Sequence, residues 1–451
     1  MWFRKNLMKT TSETDTNIEA ESGGASEDYP LASVPLTARK SLVSLGPLLM
    51  GFTLYSGTLF AGGLVGPAFK FFPDLVVLIV IGNLILGTYA AALGNIAAKT
   101  GLSTVLMARF SFGSVGSRWV DFILGFTQIG WYAWGTALIA DLLNKLVGVP
   151  TSWNWLTILF FTYFFCSTAY IGYKAMDWLS RIAVPAMLLL MVWCLAIASG
   201  QVGGWEGLQA IQPTKEMTTG AALTIIVGTF ASGGTQATNW SRFAKNGKVA
   251  TIATLLAFFF ANGFLIFSGA FCSLVYANVP AIADSSDIVQ VMAYQGLVGW
   301  GLLLLFLNMW TTQDNTIYAF SVVGAHMFRT NKRTLFVLGG ATIALVLAWG
   351  GIYKMLVDYL ILLGTFIPPI GGVIMADFWL QRCGEFPSLD TPLPAFNWAG
   401  VIAYVVASAI AYFTGKASLG IAPINGIIAA VILYVVLSRV LPPQTTRRMV
   451  E

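Results

Sequence analysis

Charged side chains are scarce in this sequence. Asp, Glu, Lys and Arg make up 10% of the 451 residues, whereas hydrophobic residues make up 57%. A soluble domain carries about 25% charged residues. A chain of this length with so few charges cannot hide its apolar surface from water, so we expect lipid to surround most of it. So few cations also exclude the basic face that binds nucleic acid.

Cysteine and histidine are rare as well. The cysteines Cys166, Cys194, Cys272 and Cys383 are widely separated, and His326 is the single histidine. Neither a disulfide framework nor a zinc site has this spacing, and one histidine excludes a multi-histidine metal centre. The sequence also lacks a phosphate-binding Gly-Lys loop and a catalytic dyad. These absences predict a protein that is not an enzyme and has no organic cofactor.

Hydrophobic runs of membrane-spanning length are abundant. A spanning helix needs about 20 apolar residues, and such runs recur between charged or Gly- and Pro-rich breaks. We predict twelve spans, at residues 45–69, 74–98, 119–143, 153–171, 182–198, 220–240, 250–275, 299–320, 335–349, 356–379, 398–413 and 422–441. Residues 100–116 are too polar for a span and are expected to form a cytoplasmic connector at the membrane surface.

The positive charges indicate the orientation of these spans. If the N-terminus is cytoplasmic, the only Lys or Arg residues that fall outside are Lys70, Lys145, Lys215, Lys354 and Lys416. Such an excess on one side is typical of cytoplasmic loops. Residues 1–34 are polar and predict a disordered cytoplasmic tail without a cleavable signal peptide. Residues 444–451 would form a second cytoplasmic tail.

Two predicted spans are interrupted by small and polar residues near mid-membrane. The first contains Gly51, Gly57, Gly62 and Gly63, and the sixth contains a Gly-, Ser- and Thr-rich segment at residues 228–236. A broken helix is tolerated only where protein or a wet cavity replaces lipid. Matching breaks in the first helices of two five-helix blocks indicate the binding site of an inverted-repeat transporter. Close helix packing through glycine is the alternative.

The eighth span is unusually polar. Seven of the nine residues from Asn308 to Thr316 are polar, and they cannot all face lipid. With carbonyl groups freed by the break in the first span, the hydroxyls of Thr311 and Thr312 would form an oxygen cage for a hard monovalent cation. Alternatively, these threonines bond to their own helix.

The carboxylates within the spans are few. Asp314 is the most deeply placed, and an intramembrane carboxylate is functional by default. It could orient polar neighbours, pair with a cation or carry a proton. Asp121 and Asp141 lie nearer the ends of the third span and are expected at the interface.

The third and tenth spans contain two further candidates. Gln128 and Trp131 are three residues apart and share a helix face, so they offer an amide and an indole to a flat heterocycle. Packing is the alternative role for Trp131, because the chain has 15 tryptophans. The double proline within residues 367–372 suits a moving gate or a static bend.

Seven stretches carry a resemblance, at residues 38–40, 81–84, 98–102, 108–113, 127–131, 308–312 and 367–377. Together they resemble the bacterial cytosine permeases of the nucleobase–cation symport family (the purine/cytosine permease group). The resemblance implies an all-α membrane protein of the LeuT type that works by alternating access. Residues 35–200 would form one five-helix repeat and residues 201–380 a second, inverted one, each with a discontinuous first helix. Residues 381–443 would add two C-terminal helices.

The resemblance also implies site residues. Trp131 and Phe230 would sandwich a base, while Gln128, Thr229 and Ser232 would bind its polar edge. A sodium site would use the carbonyl groups of Gly51, Leu54 and Asn308. The hydroxyls of Thr311 and Thr312 would complete it.

Two positions depart from the family pattern. Gln313 stands where cytosine permeases typically have Asn, and Asn239 stands where an acidic residue is expected. These departures leave another pyrimidine or a purine open as the substrate. The resemblance as a whole implies import of a neutral nucleobase with Na⁺ across a bacterial inner membrane, with cytosine as the first candidate. The alternative is a proton-coupled carrier of another pyrimidine or a purine that uses Asp314. Nothing implies an obligate protein partner.

Overall fold

The computed structural model of the chain describes Tyr29 and residues 31–441. Most of the predicted N-terminal tail and all of the predicted C-terminal tail lie outside the described residues. Within them the protein is built from helices and their connections. One isolated β-bridge, between Lys40 and Ala244, ties the start of the first span to the end of the sixth.

Twelve spans can be followed through the described residues. In the first half, span 1 is Leu42–Thr53 with Ser56–Val65, span 2 is Phe71–Leu75 with Val76–Thr100, span 3 is Ser117–Val147, span 4 is Asn154–Phe165 with Ser167–Ile171, and span 5 is Tyr173–Gly200. In the second half, span 6 is Thr219–Gly228 with Ala231–Thr235 and Thr238–Ser241, span 7 is Gly247–Leu255 with Leu256–Ala261 and Asn262–Val275, and span 8 is Val298–Met327. Span 9 is Arg333–Trp349, span 10 is Leu356–Phe366 with Pro368–Met375 and Ala376–Gln381, span 11 is Trp398–Lys416, and span 12 is Ala422–Val440.

Not all of these spans are equally apolar. By length and hydropathy alone, seven helices of the described chain can cross a membrane, and the bent pair of span 1 makes an eighth. Spans 6 and 9 contain only shorter apolar helices, and spans 3 and 8 carry polar side chains in their middle. A polar span is stable in lipid only when other helices surround it. Spans 3, 6 and 8 are also the ones that hold most of the predicted site.

The packing of the spans repeats with an offset of five. Span 2 packs on span 7, and span 3 packs on span 8. Span 1 packs on spans 5 and 7, and span 6, five spans later, packs on spans 10 and 2. In the same way span 3 packs on span 4, and span 8 packs on span 9. Two five-helix repeats produce this pattern, so the predicted 5+5 architecture is confirmed. Spans 11 and 12 pack on each other and on span 10.

Span 1 bends by 53° at its break. Leu54 and Tyr55 leave the helix there. Beyond the break, the Gly-rich half packs closely on span 7, since a Cβ atom on Gly62 would lie 2.2 Å from the carbonyl oxygen of Ile266. The glycine-rich sequence of this span therefore accompanies both a helix break and close packing against a neighbouring helix. Span 6 breaks at Thr229 and Phe230, within the predicted segment.

Two polar segments expected at the membrane surface are covered by other parts of the protein. The connector contains the short helix Thr104–Phe112, and all its residues except Arg109 are buried, so other parts of the protein cover it. Asp121, expected at the interface, is buried, and its Oδ2 atom lies 2.7 Å from Nδ1 of His326. Burial of the carboxylate is possible because the imidazole pairs with it.

Candidate functional site

A side chain from span 8 closes the break in span 1. Asn308 donates its side-chain amide to the carbonyl oxygen of Leu54. Its Oδ1 atom accepts the main-chain N–H of Ser56 at 2.8 Å and the Ser56 hydroxyl at 2.7 Å. Buried main-chain groups need partners, so Asn308 stabilises the backbone on both sides of the break.

The break also leaves two carbonyl groups without main-chain donors. In a continuous helix the carbonyls of Gly51 and Phe52 would accept the N–H groups four residues later. Those N–H groups instead donate to Thr53 and to Asn308. The hydroxyl of Thr312, in span 8, lies 3.5 Å from the Gly51 oxygen and 3.4 Å from the Phe52 oxygen. Two main-chain oxygens thus point at one hydroxyl.

Four of the five residues expected to bind a cation meet across the break, Gly51 with Thr312 and Leu54 with Asn308, whereas the Thr311 hydroxyl bonds within its own helix. We call all five the oxygen cluster. It consists of Gly51, Leu54, Asn308, Thr311 and Thr312. The hydroxyl of Thr311 donates to the carbonyl of Asn308 at 2.9 Å. Carbonyls at an unwound helix together with hydroxyls suit a monovalent cation. In the described part of the chain, no group of three or more His, Cys, Asp or Glu side chains could hold a metal ion instead.

One oxygen near the cluster was not anticipated from the sequence. A Cβ atom on Gly51 would lie 2.8 Å from Oγ of Ser180, in span 5. Ser180 is buried, and within residues 31–441 its hydroxyl has no hydrogen-bond partner. Ser180 stands between Asp177 and Arg181, so its sequence neighbours gave no signal that it would face span 1.

Aromatic rings from three spans surround Tyr55, which lies in the break of span 1. The Tyr55 ring is edge-on to Trp131 of span 3, with centroids 5.3 Å apart, and edge-on to Phe230 of span 6, at 6.2 Å. The structure therefore brings both predicted stacking residues into contact with one tyrosine. Sequence reasoning missed Tyr55 because the break drew attention to its glycines.

Gln313 is buried between spans 8 and 3. Its Nε2 atom donates to the carbonyl oxygen of Tyr132 at 2.5 Å and to the hydroxyl of Thr136 at 3.0 Å. The reversed amide would place two oxygens against each other, so this orientation is fixed. No described residue donates to its Oε1 atom. A Cβ atom on Gly135 would lie 2.9 Å from both Gln313 Nε2 and the Tyr55 hydroxyl. This amide therefore lies close to Tyr55, Trp131 and Phe230, which we call the aromatic group.

Two further predicted polar groups are buried without internal partners. Nε2 of Gln128 and Oγ of Ser232 have no hydrogen-bond partner among the residues that the structure describes. Gln128 and Ser232 are both almost completely buried. A polar group in this state requires an explanation such as a ligand or ordered water.

Thr229 differs from the other predicted residues, because its hydroxyl is already engaged. It donates to the carbonyl of Ile226 at 2.6 Å and accepts the side-chain amide of Asn262 at 3.3 Å. Asn262 also donates to Asn83 at 2.8 Å and accepts the hydroxyl of Thr58 at 2.9 Å. Asn262 thus joins spans 1, 2, 6 and 7. A lone Asn in an apolar run gave no sign of this network.

Asp314 is buried with donors on both carboxylate oxygens. Thr168 donates to Oδ2 at 2.9 Å, and the side-chain amide of Asn315 donates to Oδ1 at 3.0 Å. The Thr168 hydroxyl in turn accepts the indole N–H of Trp310 at 3.2 Å. This carboxylate faces span 4 and lies outside the oxygen cluster.

Span 10 contributes an aromatic residue next to Trp131. The hydroxyl of Tyr359 donates to the carbonyl of Thr127 at 2.6 Å, and the Tyr359 ring is edge-on to Trp131 with centroids 5.2 Å apart. The helix is interrupted at Ile367, before the double proline. Tyr359 is therefore carried by the segment on one side of this interruption.

The oxygen cluster and the aromatic group lie next to each other, since Leu54 belongs to the first and the next residue, Tyr55, to the second. Aromatic faces accompanied by a few amides and a hydroxyl are typical of small-molecule sites.

Comparisons with known proteins identify the family of the chain. The family described as permease for cytosine/purines, uracil, thiamine and allantoin matches residues 38–436. The cytosine permeases of Escherichia coli K12 and O157:H7 are 34% identical over 422 residues, which cover 94% of this chain and 97% of theirs.

Solved structures share the fold. Mhp1, a nucleobase-cation-symport-1 family transporter, in a closed conformation with bromovinylhydantoin bound, has a TM-score of 0.76 at 18% identity and covers 90% of this chain and 94% of its own. A Na⁺-coupled sialic acid symporter in a substrate-bound, outward-open state has a TM-score of 0.67 at 14% identity and covers 91% and 92%. The chain therefore belongs to the family of membrane permeases for cytosine, purines, uracil, thiamine and allantoin.

Proposed function

We propose that this permease imports cytosine together with Na⁺ by alternating access. The observation that carries the proposal is the shared break of span 1, where the oxygen cluster and the aromatic group meet at Leu54 and Tyr55. A 34% identical relative over almost the whole chain is a cytosine permease, which supports the substrate.

The oxygen cluster supports Na⁺ as the coupling ion. Its potential ligands are neutral carbonyl and hydroxyl oxygens, and such oxygens from unwound helices coordinate Na⁺ in transporters of this kind. Thr312 contacts span 1 across the cluster, so an ion held there would draw spans 1 and 8 together. A symporter of similar fold is described as Na⁺-coupled.

The unused polar groups support cytosine as the base. Gln313 offers an acceptor, Oε1, while Gln128 offers a donor, Nε2, and Ser232 offers a hydroxyl. Cytosine presents an exocyclic amine beside a ring nitrogen and a carbonyl, so it can satisfy a fixed acceptor and a donor together. Uracil presents a carbonyl in place of the amine and would be repelled by Gln313. Trp131 and Phe230 would stack on the ring.

Coupling follows from the position of the two sites. The main chain of Leu54 is part of the oxygen cluster, and Tyr55 touches Trp131 and Phe230. An ion that orders the break also orders Tyr55, so cation and base would favour the same conformation and raise each other's affinity.

We further propose that the chain lies in the inner membrane with both termini in the cytoplasm. The unequal distribution of Lys and Arg supports this orientation. It predicts that a phosphatase active only outside the cytoplasm is inactive when fused after residue 441, and active when inserted near Lys215.

A proton-coupled carrier of another pyrimidine or a purine is the second candidate. The buried carboxylate of Asp314 favours it, because intramembrane carboxylates carry protons in many transporters. Against it, both Asp314 oxygens are engaged by Thr168 and Asn315, and the carboxylate is turned away from the oxygen cluster.

Uptake of labelled cytosine into proteoliposomes tests the proposal. An inward Na⁺ gradient should drive accumulation, and unlabelled cytosine should compete better than uracil, adenine, hydroxymethylpyrimidine or hydantoin. If unlabelled cytosine fails to compete, the substrate is another base. If accumulation follows an inward proton gradient and ignores Na⁺, the second candidate is correct.

A further inference from the structure

A cleft at the inner ends of spans 3 and 8 collects positive charge. It is lined by Leu31, Arg109, Ser114, Arg118, His326 and Arg329. It lies far from the oxygen cluster along span 8, since His326 stands near the last residue of that span. Neither the family nor the proposed transport cycle gives this cleft a role. The inference below rests on the proposed orientation, with these span ends at the cytoplasm, and not on the proposed substrate or coupling ion.

The charges of the cleft are not balanced from within. Burial and the nearby positive charge of Arg329 lower the pKa of the Arg109 guanidinium from its ordinary value. Asp121 is the carboxylate beside the cleft, and one of its oxygens is held by His326. Within residues 31–441, Arg109, Arg118 and Arg329 form no salt bridge. Three guanidinium groups against one carboxylate leave an excess of positive charge, which attracts an anion.

An apolar stripe on span 3 begins next to Arg118 of the cleft. Trp119, Phe122 and Phe126 are more than half exposed on the helix surface, at 57%, 52% and 54%. Their rings stack in sequence, with centroids 5.7 Å and 6.1 Å apart. Arg118 is one turn before Phe122, so its side chain stands at the inner end of this stripe. On a spanning helix such an exposed stripe faces lipid chains.

We propose that this cleft binds the phosphate headgroup of an anionic phospholipid, with an acyl chain along Trp119, Phe122 and Phe126. Basic pockets between spanning helices on the cytoplasmic side bind anionic headgroups. Arginine suits phosphate because its guanidinium donates two parallel hydrogen bonds. The excess of cytoplasmic Lys and Arg accounts for basic residues in general, but not for three arginines gathered at the end of a stacked aromatic stripe.

Native mass spectrometry of the delipidated full chain tests the inference. Dioleoyl-phosphatidylglycerol should bind more tightly than dioleoyl-phosphatidylcholine, and Arg118→Gln/Arg329→Gln should weaken phosphatidylglycerol binding about 30-fold, at about 1 kcal/mol per arginine. The matched control is Lys245→Gln/Lys248→Gln, which removes the same charge from exposed cytoplasm-side positions outside the cleft and should change binding less than about 2-fold.

The arms distinguish other occupants. The inference is overturned if the two lipids bind equally to the unmodified chain, or if the arginine variant matches the lysine control. It is also overturned if inorganic phosphate displaces phosphatidylglycerol at similar concentration, because the cleft would then take free phosphate. A last arm neutralises the acidic residues before the described part, Glu13, Asp15, Glu19, Glu21, Glu27 and Asp28. A large rise in lipid binding in this variant would overturn the inference, because it would show that the acidic segment is the occupant of the cleft. If the double variant fails to fold, Arg118→Gln alone, which changes one exposed side chain, replaces it. It should also bind phosphatidylglycerol more weakly than the lysine control does, and equal binding would overturn the inference.

Discussion

The Oδ1 atom of Asn308 accepts the main-chain N–H of Ser56 at 2.8 Å, across the break in span 1. A side chain of span 8 thereby replaces the hydrogen bond that a continuous helix would have made. The same residue contacts Leu54 on the other side of the break. The geometry of the oxygen cluster therefore depends on a contact between the two repeats.

Asn308→Ala should weaken cation coupling and stability together. The change leaves the Leu54 carbonyl and the Ser56 N–H buried without partners, which costs about 1–3 kcal/mol for each unsatisfied group. We expect a lower Tm and a higher Na⁺ concentration for half-maximal cytosine uptake. Ser56→Ala is the control, because it removes a hydroxyl but keeps the main-chain contact. Equal effects of the two variants would contradict the bridging role.

Thr312→Ala should raise the half-saturating Na⁺ concentration about 10-fold, since a hydrogen bond or ligand to a charged group is worth about 1.5–3 kcal/mol. Thr312→Ser keeps the hydroxyl and should behave nearly as the unmodified protein. Thr316→Ala is a matched control, because the Thr316 hydroxyl bonds to the carbonyl of Thr312 in its own helix at 2.7 Å. Sodium titration of uptake measures all three. An unchanged Na⁺ dependence in Thr312→Ala would remove that hydroxyl from the ion site.

Gln313→Leu should lower kcat/KM for cytosine about 10- to 100-fold, because the variant loses one buried hydrogen bond to the base. The same hydrogen bond distinguishes cytosine from uracil. Uracil should lose less, so the preference for cytosine falls. Gln313→Asn keeps an amide acceptor and donor and should retain the preference. Competition assays with both bases decide the matter. A preference unchanged in Gln313→Leu would show that another residue selects the base.

Asp314→Asn should leave Na⁺-driven uptake and its pH dependence intact. The substitution keeps the size of the side chain but replaces one of its two acceptor oxygens by an NH₂ group, so either Thr168 or Asn315 loses its acceptor. We therefore expect a lower Tm and continued transport. Uptake measured against external pH, with the Na⁺ gradient held constant, is the test. Loss of pH-driven uptake in this variant would support proton coupling instead.

Gly62→Ala should separate spans 1 and 7. The added Cβ atom would lie 2.2 Å from the carbonyl oxygen of Ile266, and overpacking of this kind costs about 1–3 kcal/mol. Gly339→Ala, in span 9, is the control, since nothing lies within 4 Å of its Cβ position and alanine favours a helix. Thermal unfolding in detergent should show a lower Tm for the first variant alone. A similar Tm for both would contradict the close packing.

The sequence was sufficient for the spans and for both breaks, because hydropathy and glycine content are local properties. It also predicted that Thr311 and Thr312 face protein, since a polar run inside lipid must do so, and both are buried. It could not identify Ser180, Tyr55 or Asn262 as neighbours of the site. Their positions depend on how distant spans pack, and no local pattern distinguishes them from residues at ordinary packing sites.

The burial of Asp121 has the same origin. The sequence placed this carboxylate near the end of a span, where water would solvate it. His326 follows about two hundred residues later in the chain, and only the packing of span 3 on span 8 brings the two together. Position near a span end therefore did not predict that this carboxylate would be buried.

Entry of radioactive sodium into proteoliposomes, with and without external cytosine, tests the central claim most directly. With no competing base and no proton gradient present, external cytosine should accelerate Na⁺ entry in the unmodified protein. Thr312→Ala should reduce that acceleration, and Thr316→Ala should leave it unchanged. Sodium entry that ignores cytosine, together with cytosine uptake that persists at full rate without Na⁺, would contradict the coupling of the two sites through the break in span 1.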